Sequence, residues 1–371
     1  MAKLGEVCEV LDSKRVPITA ANRVSGQYPY YGANGVQDYV ADYIFDDELV
    51  LLAEDGGNFG SKEKPIAYRV SGKCWVNNHA HVLKPKAVID VDYLCYSLMF
   101  YDVSGLVNGA TRQKLTQSDM RKMEIPLRTM VEQKNIVCRL NKLTELISLR
   151  KQQLAKLDEL VKARFVEMFG DFEVNPKEFP VYHLCELCDV GSSKRIYQEE
   201  QSISGIPFLK VADLNELIDT GKYSCSTFIP LERYEQLLHK ELTPTENDIL
   251  ITSRGTLGKC YIVQSDDEFY FQDGMISWLS NLSPKVSSIY ISYLFAQPYI
   301  QKQIESLQAG STVAYLSIAM LKKINVILPP KKLQDDFATF VERVDQQKQT
   351  VQQSLEKLEL MKKALMQEYF G

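Results

Sequence analysis

Residues 3–10 read Lys-Leu-Gly-Glu-Val-Cys-Glu-Val, and residues 183–190 read His-Leu-Cys-Glu-Leu-Cys-Asp-Val. Each stretch is followed by Ser-Lys-Arg and an aliphatic residue, at 13–16 and at 193–196. The two copies are offset by 180 residues, as positions 3 and 183 show. A similarity that recurs at a fixed spacing indicates a duplicated structural unit.

A second group of matches, near the end of each half, has an offset of 201 residues. The matched pairs are Gly109 with Gly310, Thr111 with Thr312, Leu115 with Leu316, Gln133 with Gln334 and Gly170 with Gly371. Because the offset grows between the two groups, the second half carries insertions, which loops accommodate better than a packed core does. We therefore predict one scaffold used twice, with different loops.

Each half ends in a long stretch with the apolar spacing of an amphipathic helix. The first stripe consists of Leu140, Leu143, Ile147, Leu154, Leu157 and Val161, and the second of Val341, Val344, Val351, Leu355, Leu358 and Leu365. Arg150, Lys348 and Lys362 interrupt these stripes. A helix of about 35 residues is roughly 50 Å long. Two separate partner-binding helices would fit this pattern, but equivalent stripes in two repeats can bury one another, so we predict that the helices pair.

The helix starts and stops are also marked in the sequence. Thr129-Met-Val-Glu132 has the pattern of a capping box, and Pro329-Pro330 suits a first helical turn. Each stretch then runs to a Phe-Gly stop, at 169–170 and at 370–371. We therefore place the long helices at 129–170 and 329–371.

The first part of each half predicts short strands separated by turns. Stretches such as 27–31, 48–52 and 73–76 are rich in aromatic and β-branched residues, and clusters of Gly, Asn and Asp separate them. The predicted fold class is α+β, with two similar loop-rich domains, 1–128 and 171–328, joined by the two long helices in an internal pseudo-two-fold repeat.

Composition limits the protein class. With 371 residues, 45% of them hydrophobic and 25% charged, the chain predicts an ordinary folded protein. Its start lacks the apolar core of a signal peptide, and runs such as 49–53 are too short to span a bilayer, so we expect a cytoplasmic protein without membrane association. The eight cysteines then predict free, buried thiols rather than a disulfide framework. The net charge of −5 argues against a simple basic DNA-binding protein, unless Lys and Arg cluster on one face.

Motifs for catalysis are missing from the sequence. The stretch 255–260, Gly-Thr-Leu-Gly-Lys-Cys, has only two residues between its glycines and Cys where a phosphate loop has Ser or Thr. The chain also lacks a dinucleotide-binding glycine pattern, the Asn-Pro-Pro-Tyr or Asp-Pro-Pro-Tyr of amino-methyltransferases, and a convincing nuclease centre. We therefore expect a non-catalytic protein.

Two short patterns could be mistaken for metal sites. His79 and His81 alternate along a predicted strand, but the second half places 272–276 there, so we predict hydrogen-bonded strand histidines. Cys185-x-x-Cys188 is half a zinc site, and Cys8 aligns with Cys188, so we predict buried structural cysteines. No metal site is expected.

Polar and basic residues in glycine-bearing loops are the candidate DNA contacts. They are Lys14, Arg15, Tyr31, Asn34, Asn58, Lys62, Arg112 and Lys114 in the first half, and Lys194, Arg195, Lys210, Arg254, Lys259 and Thr312 in the second. Arg and Lys neutralise phosphates or reach guanine edges, and Asn pairs with adenine. Solvated surface explains any one of these loops equally well, but Ser-Lys-Arg and Gly-x-Thr recur in both halves.

Four stretches, taken in order, resemble the specificity subunits of Type I restriction–modification systems across essentially the whole chain. These are the opening at 3–8, Tyr-Pro-Tyr-Tyr-Gly-Ala-Asn-Gly at 28–35, Trp-Val-Asn-Asn-His-Ala-His-Val-Leu at 75–83, and Ile-Thr-Ser-Arg-Gly-Thr-Leu-Gly-Lys at 251–259. The match departs from the family at Gln113, where proline is frequent, and at 128–129, where Arg-Thr replaces Pro-Pro.

The resemblance implies two target-recognition domains, each reading one part of a bipartite asymmetric site, with the long helices paired as an antiparallel coiled coil between them. The implied partners are double-stranded DNA, two modification (methyltransferase) subunits, and restriction/translocase subunits. S-adenosylmethionine, ATP and Mg²⁺ are expected on those partner subunits, and none in this chain. The alternatives are a carbohydrate- or protein-binding adaptor, for which acidity would be natural, and a stand-alone nuclease or methyltransferase, whose motifs are missing.

Overall fold

The computed structural model describes residues 1–109, 113–308 and 314–371. These residues form two compact units, one made of 1–153 with 351–371 and the other of 154–350. Both units mix helices and strands, which confirms the α+β class. The units divide within the two long helices, so the predicted boundaries at 128 and 328 mark helix starts, and the four-part division of the chain stays a prediction.

The first unit contains a six-stranded sheet, several short strands and parts of both long helices. Its strands are β1 (Ala2–Lys3), β2 (Cys8–Val10), β3 (Ser25–Gly32), β4 (Gly35–Val40), β5 (Phe45–Ala53), β6 (Ala67–Val76), β7 (Ala80–Pro85), β8 (Val107–Asn108), β9 (Lys114–Leu115) and β10 (Glu124–Ile125). Its helices are α1 (Leu4–Val7), α2 (Val91–Met99), α3 (Gln117–Met120) and α4 (Met130–Phe169), the last of which continues into the second unit.

The main sheet of this unit has the strand order β2-β7-β5-β6-β3-β4. The predicted strands at 27–31, 48–52 and 73–76 lie within β3, β5 and β6, as expected. Strand β5 is buried on both faces: Leu49 and Leu51 pack into one apolar cluster, and Val50 and Leu52 pack into the other. Alternate residues of a strand point to opposite faces, so a run of apolar residues indicates such a central strand.

The second unit continues from the last part of α4. Its strands are β11 (Val181–His183), β12 (Asp189–Gly191), β13 (Ile206–Leu209), β14 (Phe228–Ile229), β15 (Ile249–Thr252), β16 (Cys260–Ile262), β17 (Tyr270–Phe271), β18 (Ile276–Ser280) and β19 (Asn325–Ile327). Its helices are α5 (Val211–Thr220), α6 (Leu231–Leu238), α7 (Ser288–Phe295), α8 (Pro298–Leu307), α9 (Ile318–Lys322) and α10 (Lys331–Phe370), whose last part belongs to the first unit.

The strands of the second unit form a sheet in the order β12-β18-β15-β16 and a smaller sheet in the order β14-β13-β17. Strands β12, β18 and β15 repeat the arrangement of β2, β7 and β5, since Val190 pairs with Leu279 as Val10 pairs with Leu83. The inserted residues of the second half were expected in loops. They include α5 and α6, so the insertion has secondary structure of its own.

The repeat is most exact where each unit meets its long helix. Gln133 is fully buried; its Oε1 accepts from Asp90 N, and its Nε2 donates to the carbonyls of Val88 and Arg128. Gln334 makes the matching three bonds with Ser287 N and the carbonyls of Lys285 and Pro329. The pairing of β1 with β10 likewise matches that of β11 with β19. Both offsets read from the sequence are therefore confirmed.

Helices α4 and α10 each have 40 residues and begin and end within two residues of the predicted bounds. At the start of α4, Glu132 Oε2 accepts from Thr129 N at 2.9 Å and from its hydroxyl at 2.6 Å, as the capping-box pattern predicted. Every residue of both predicted stripes is buried or half-buried.

Contacts between α4 and α10 show an antiparallel arrangement within each unit. In the first unit, Arg139 donates to the Tyr369 hydroxyl and Lys151 pairs with Glu359. In the second unit, Asp158 pairs with Lys348 at 2.6 Å. The guanidinium of Arg164 also lies over the Phe340 ring. The prediction that the helices pair is therefore confirmed.

All eight cysteines are free thiols. Cys8 and Cys188 are buried, as predicted. Cys138 and Cys185 are exposed, so the expectation of burial was wrong for these two; Cys138 lies off the apolar stripe of α4. Among the residues that the structure describes, every helix is too short or too polar to span a bilayer.

Candidate nucleic-acid interface

In the first unit, several polar loops meet at one end of the main sheet. The loop after β5 is joined to the β3–β4 hairpin by a bond from Asn34 Nδ2 to Gly56 O at 3.0 Å. The same loop is joined to the start of β7 by His79 Nδ1, 2.6 Å from Asp55 Oδ1, and to β9 by a backbone bridge between Asp55 and Lys114. Residues that are far apart in the sequence thus form one polar face.

The β3–β4 hairpin presents side-chain amides on this face. Its turn closes at Gly35, whose φ of +106° favours glycine. Gln37 Oε1 accepts from Asn77 Nδ2 at 2.9 Å, and Gln37 and Asn34 are exposed. Gln37 and Asn77 were not among the predicted contacts, although both lie in or directly after stretches that carried the family resemblance. A side-chain amide can pair with an adenine edge, so the exposed Gln37 joins the candidates, whereas Asn77 is buried and holds the Gln37 amide in place.

Behind the face lies a network of charged groups. Arg15 Nη1 donates to Glu54 Oε2 at 2.6 Å, and Lys114 Nζ lies 2.9 Å from Glu54 Oε1. His81 is fully buried, with Nδ1 2.7 Å from Asp12 Oδ2 and Nε2 2.9 Å from a backbone carbonyl. The predicted hydrogen bonding of the two histidines is confirmed, although only His81 lies within β7.

The two carboxylates of this network stay ionised. Burial alone would raise the pKa of Asp12, but the hydrogen bond and charge of His81, the Val82 N–H and Arg15 outweigh it and hold that pKa below its usual value. Burial would likewise raise the pKa of Glu54, but hydrogen bonds from Arg15 and Lys114 outweigh burial and lower that pKa. Opposite charges and donors within hydrogen-bond distance stabilise the ionised form of a carboxyl group.

Ligand atoms of Asp12, Glu54 and His81 lie within 4.8 Å of one another, which is a spacing that a metal ion could use. The cationic groups of Arg15 and Lys114 already contact Glu54. Their two positive charges offset the two carboxylates. The group is therefore an internal ion-pair network that joins β2, β5, β7 and β9.

The predicted contacts of the first half differ in exposure. Lys14, Asn34, Lys62 and Lys114 are exposed, Tyr31 and Asn58 are half-buried, and Arg112 lies outside the described residues. Arg15 is different, because its side chain is only 12% exposed and is directed into the network. Its role as a DNA contact stays a prediction that the geometry does not favour.

In the second unit, two of the predicted arginines lie around the turn that precedes β18. Arg195 Nε donates to Asp273 Oδ2 at 2.9 Å, and Arg254 Nη1 lies 3.8 Å from Met275 Sδ. A backbone bridge joins Arg254 to Tyr315, just as Asp55 is joined to Lys114 in the first unit. Both arginines are exposed, so their guanidinium groups are accessible on this face.

The remaining predictions of the second half are more scattered. Lys194 is exposed beside Arg195, and Lys210 is exposed where α5 begins. Lys259 is half-buried, with Nζ 2.6 Å from Asp219 of α5, and it lines a pocket with residues of α7 and α8. Thr312 lies outside the described residues.

The backbone register shows which residues of the two units are equivalent. The bond from Glu54 N to His79 O corresponds to that from Ser253 N to Met275 O. The match of the histidine stretch 77–81 with 272–276 was therefore wrong by one residue, because His81 pairs with Leu52 as Ser277 pairs with Ile251. By the same pairing, Ser192, Ser253 and Ser277 occupy the positions of Asp12, Glu54 and His81.

Comparison with known proteins identifies relatives over most of the chain. The family model described as the Type I restriction modification DNA specificity domain matches twice, at residues 1–159 and 176–360. The S.HindORF215P protein of Haemophilus influenzae, which its name places among type I restriction enzyme specificity subunits, is 30% identical over 92% of this chain and 86% of its own length.

Two further matches agree with this one. The specificity subunit of the type I restriction enzyme MjaVIII of Methanocaldococcus jannaschii is 23% identical over 99% of this chain and 90% of its own. The crystal structure of the S subunit from the Type I restriction-modification system of M. genitalium matches with a TM-score of 0.61 and 16% identity, covering 100% of this chain and 95% of that one.

Proposed function

The chain belongs to the Type I restriction–modification specificity subunits, the non-catalytic DNA-recognition components of these systems, and we propose that each of its two units reads one part of a bipartite, asymmetric DNA site. One observation carries the proposal: the two units share a backbone framework but have different side chains on it. The units share the register of β2, β7 and β5 with β12, β18 and β15. The polar face next to those strands differs residue by residue, as two different half-sites would require.

The exposed groups of each face suit DNA. In the first unit, the ammonium groups of Lys14, Lys62 and Lys114 can neutralise phosphates, and the amides of Asn34 and Gln37 can pair with base edges. In the second unit, the accessible groups include those of Arg195 and Arg254. Phosphate contacts position a protein on the duplex, and base contacts specify sequence.

Partner subunits supply the chemistry. Proteins of this family work with methyltransferase and restriction subunits on DNA. We place two modification subunits in the complex, which would bind S-adenosylmethionine and methylate adenine N6, together with restriction/translocase subunits that would use ATP and Mg²⁺. The complex would act in the cytoplasm, where the DNA is.

The paired helices would set the gap between the half-sites. Each has 40 residues, which corresponds to about 60 Å at 1.5 Å per residue. Their pairing through a buried stripe makes them stiffer than a loop of the same length. We propose that they act as a spacer between the two recognition faces.

The test is methylome sequencing of a host that expresses the chain with the modification subunits encoded beside it. We expect methylated adenine in one bipartite motif, and no such methylation when this chain is left out. The double variant Asn34→Ala with Gln37→Ala should relax bases in one half of the motif, and Arg254→Ala should relax bases in the other half. A contiguous motif, or relaxation of the same half by both variants, would contradict the proposal. Wild-type complexes that methylate nothing and bind no duplex would instead favour an adaptor.

A further inference from the structure

The two Ser-Lys-Arg copies end in arginines with different surroundings. The Arg15 side chain is 12% exposed, whereas that of Arg195 is 65% exposed. Both residues follow equivalent strands, β2 and β12, and each lies five residues after an equivalent strand residue, Val10 or Val190. The difference therefore comes from the neighbours that each guanidinium meets.

Arg15 is directed inward by acceptors on three sides. Its Nη1 donates to Glu54 Oε2 at 2.6 Å and to Ala80 O at 2.8 Å, and its Nε donates to Asp12 O at 3.0 Å. To reach a phosphate, this guanidinium would have to give up these bonds and leave the buried Glu54 carboxylate without one of its two closest cationic partners. Loss of one partner of such a pair is costly, because the remaining charge stays buried.

Glu54 connects Arg15 to the polar face. Its second oxygen lies 2.9 Å from Lys114 Nζ, and the Lys114 side chain is 51% exposed. Its backbone N–H donates to His79 O, and its backbone carbonyl accepts from Leu115 N. A displacement of Glu54 would therefore move the start of β7 and strand β9 together.

The second unit lacks this arrangement at the equivalent residues. Ser253 stands at the position of Glu54, and its hydroxyl lies 2.7 Å from that of Ser277. Without a carboxylate there, the guanidinium of Arg195 extends to the surface and pairs with Asp273. An exposed pair of this kind contributes little to stability and opens readily for a phosphate.

We propose that Arg15 is a positioning residue, which acts through Glu54 to hold Lys114 against DNA, whereas its counterpart Arg195 contacts DNA directly. The inference rests on the proposed function, since it assumes that both faces bind DNA. It assigns different roles to two copies of one motif. It also identifies Glu54, which sequence reasoning did not single out, as a residue on which recognition by the first unit depends.

The experiment is a double-mutant cycle on the full chain in complex with its modification subunits. The probe is a short duplex carrying the motif found by methylome sequencing, and its affinity is measured over a range of salt concentrations. The variants are Arg15→Gln, Glu54→Gln, the two together, and Lys114→Gln. Arg195→Gln is the matched control in the second unit.

We expect Arg15→Gln and Glu54→Gln each to weaken binding about tenfold, because each removes one partner of a buried ion pair and releases Lys114 from its position. The double variant should recover most of this loss, since two neutral amides can bond to each other. Each single variant should reduce the salt slope by at most the one phosphate contact of Lys114, and the double variant should restore the slope. Lys114→Gln and Arg195→Gln should each reduce the slope by about one, as the loss of one phosphate contact does.

A direct contact by Arg15 predicts different results. Glu54→Gln would then leave affinity unchanged or raise it by freeing the guanidinium, and the double variant would neither bind better nor regain a steeper salt slope than Arg15→Gln alone. Any of these outcomes overturns the inference. If Arg15→Gln does not fold, Glu54→Gln and the double variant still decide between the two roles. Failure of the wild-type complex to bind the duplex would overturn the proposed function instead.

Discussion

At the edge of the first unit, Asp12, Glu54 and His81 form a charged network with Arg15 and Lys114, and in the second unit serines stand at the first three of these positions. At the base of each long helix the two units are alike down to single hydrogen bonds, as the matching networks of Gln133 and Gln334 show. The two units therefore keep the same residues where buried backbone groups need hydrogen-bond partners. Their residues differ on the face that we assign to DNA.

The largest effect should follow from a change that leaves both faces intact. Removing residues 147–153 and 348–354 together keeps the apolar register of the paired helices. It shortens them by about 10 Å, or roughly three base pairs. We expect both half-site sequences to survive and the gap between them to shrink, as read by methylome sequencing of an active variant.

This deletion also turns one face relative to the duplex, so loss of all activity is one expected form of the effect. The decisive observation is an active variant. If it still methylates the parental motif with an unchanged gap, the helices are not the spacer. A change in the bases read would show that the helices contribute to the recognition faces.

Replacement of either buried glutamine, Gln133 or Gln334, should lower the free energy of unfolding by the same amount. Gln133→Leu leaves one N–H and two carbonyls without partners, and Gln334→Leu does the same in the other unit. We expect each to lower the free energy of unfolding by about 3 kcal/mol. Calorimetry or urea unfolding of the full chain measures this. The exposed Gln347→Leu is the control and should change it by less than about 0.5 kcal/mol. Clearly unequal changes in the free energy of unfolding would show that the two equivalent networks do not stabilise their units equally.

The sequence predicted the framework well for a physical reason. The apolar stripes and the capping residues of the long helices depend on local spacing, which is visible in the sequence. Gln133 and Gln334 recur because both copies must satisfy the same buried backbone groups. The role of Arg15 depends on Glu54, which arrives from a different strand, and the sequence of the motif is the same in both halves. The insertion helices α5 and α6 were likewise outside the repeat, so no second copy indicated them.

Two buried carboxylates should respond to pH with opposite signs. Asp12 has a lowered pKa in the folded protein, so its stabilisation is present above about pH 4 and is lost as the pH falls through that lowered value. Asp248, just before β15, has a pKa raised by burial despite bonds from Thr245 and the Trp278 ring N–H. Its ionisation therefore costs stability as the pH rises.

We therefore expect Asp12→Asn to lower the free energy of unfolding at pH 7 by about 2 kcal/mol, with the loss shrinking as the pH falls below about 4. Asp248→Asn should raise it at pH 7 and have little effect at pH 3, since Asn keeps an acceptor oxygen. Unfolding in urea at both pH values measures the two differences. Equal signs at pH 7 would show that the two environments do not differ as described.

The smallest effect should separate two lysines that interrupt the apolar stripe of α10. Lys348 is paired with Asp158. Burial lowers the pKa of Lys348, but the hydrogen bond to Asp158 and the nearby Asp345 and Tyr293 outweigh burial and raise it. Burial and the nearby charge of Lys151 lower the pKa of Lys362. A lowered lysine pKa means that the charged form is disfavoured in the folded protein, and this cost is relieved as the pH rises towards the unfolded value near 10.5.

Lys362→Met should therefore raise the free energy of unfolding at pH 7 by about 0.5–1 kcal/mol, because an apolar side chain of similar length fills the stripe without a charge. Lys348→Met removes a satisfied pair and should be neutral or slightly destabilising at the same pH. Thermal unfolding at pH 7 and pH 10 checks both, and the gain from Lys362→Met should shrink at pH 10; a gain that persists there would come from packing alone and not from the removal of charge.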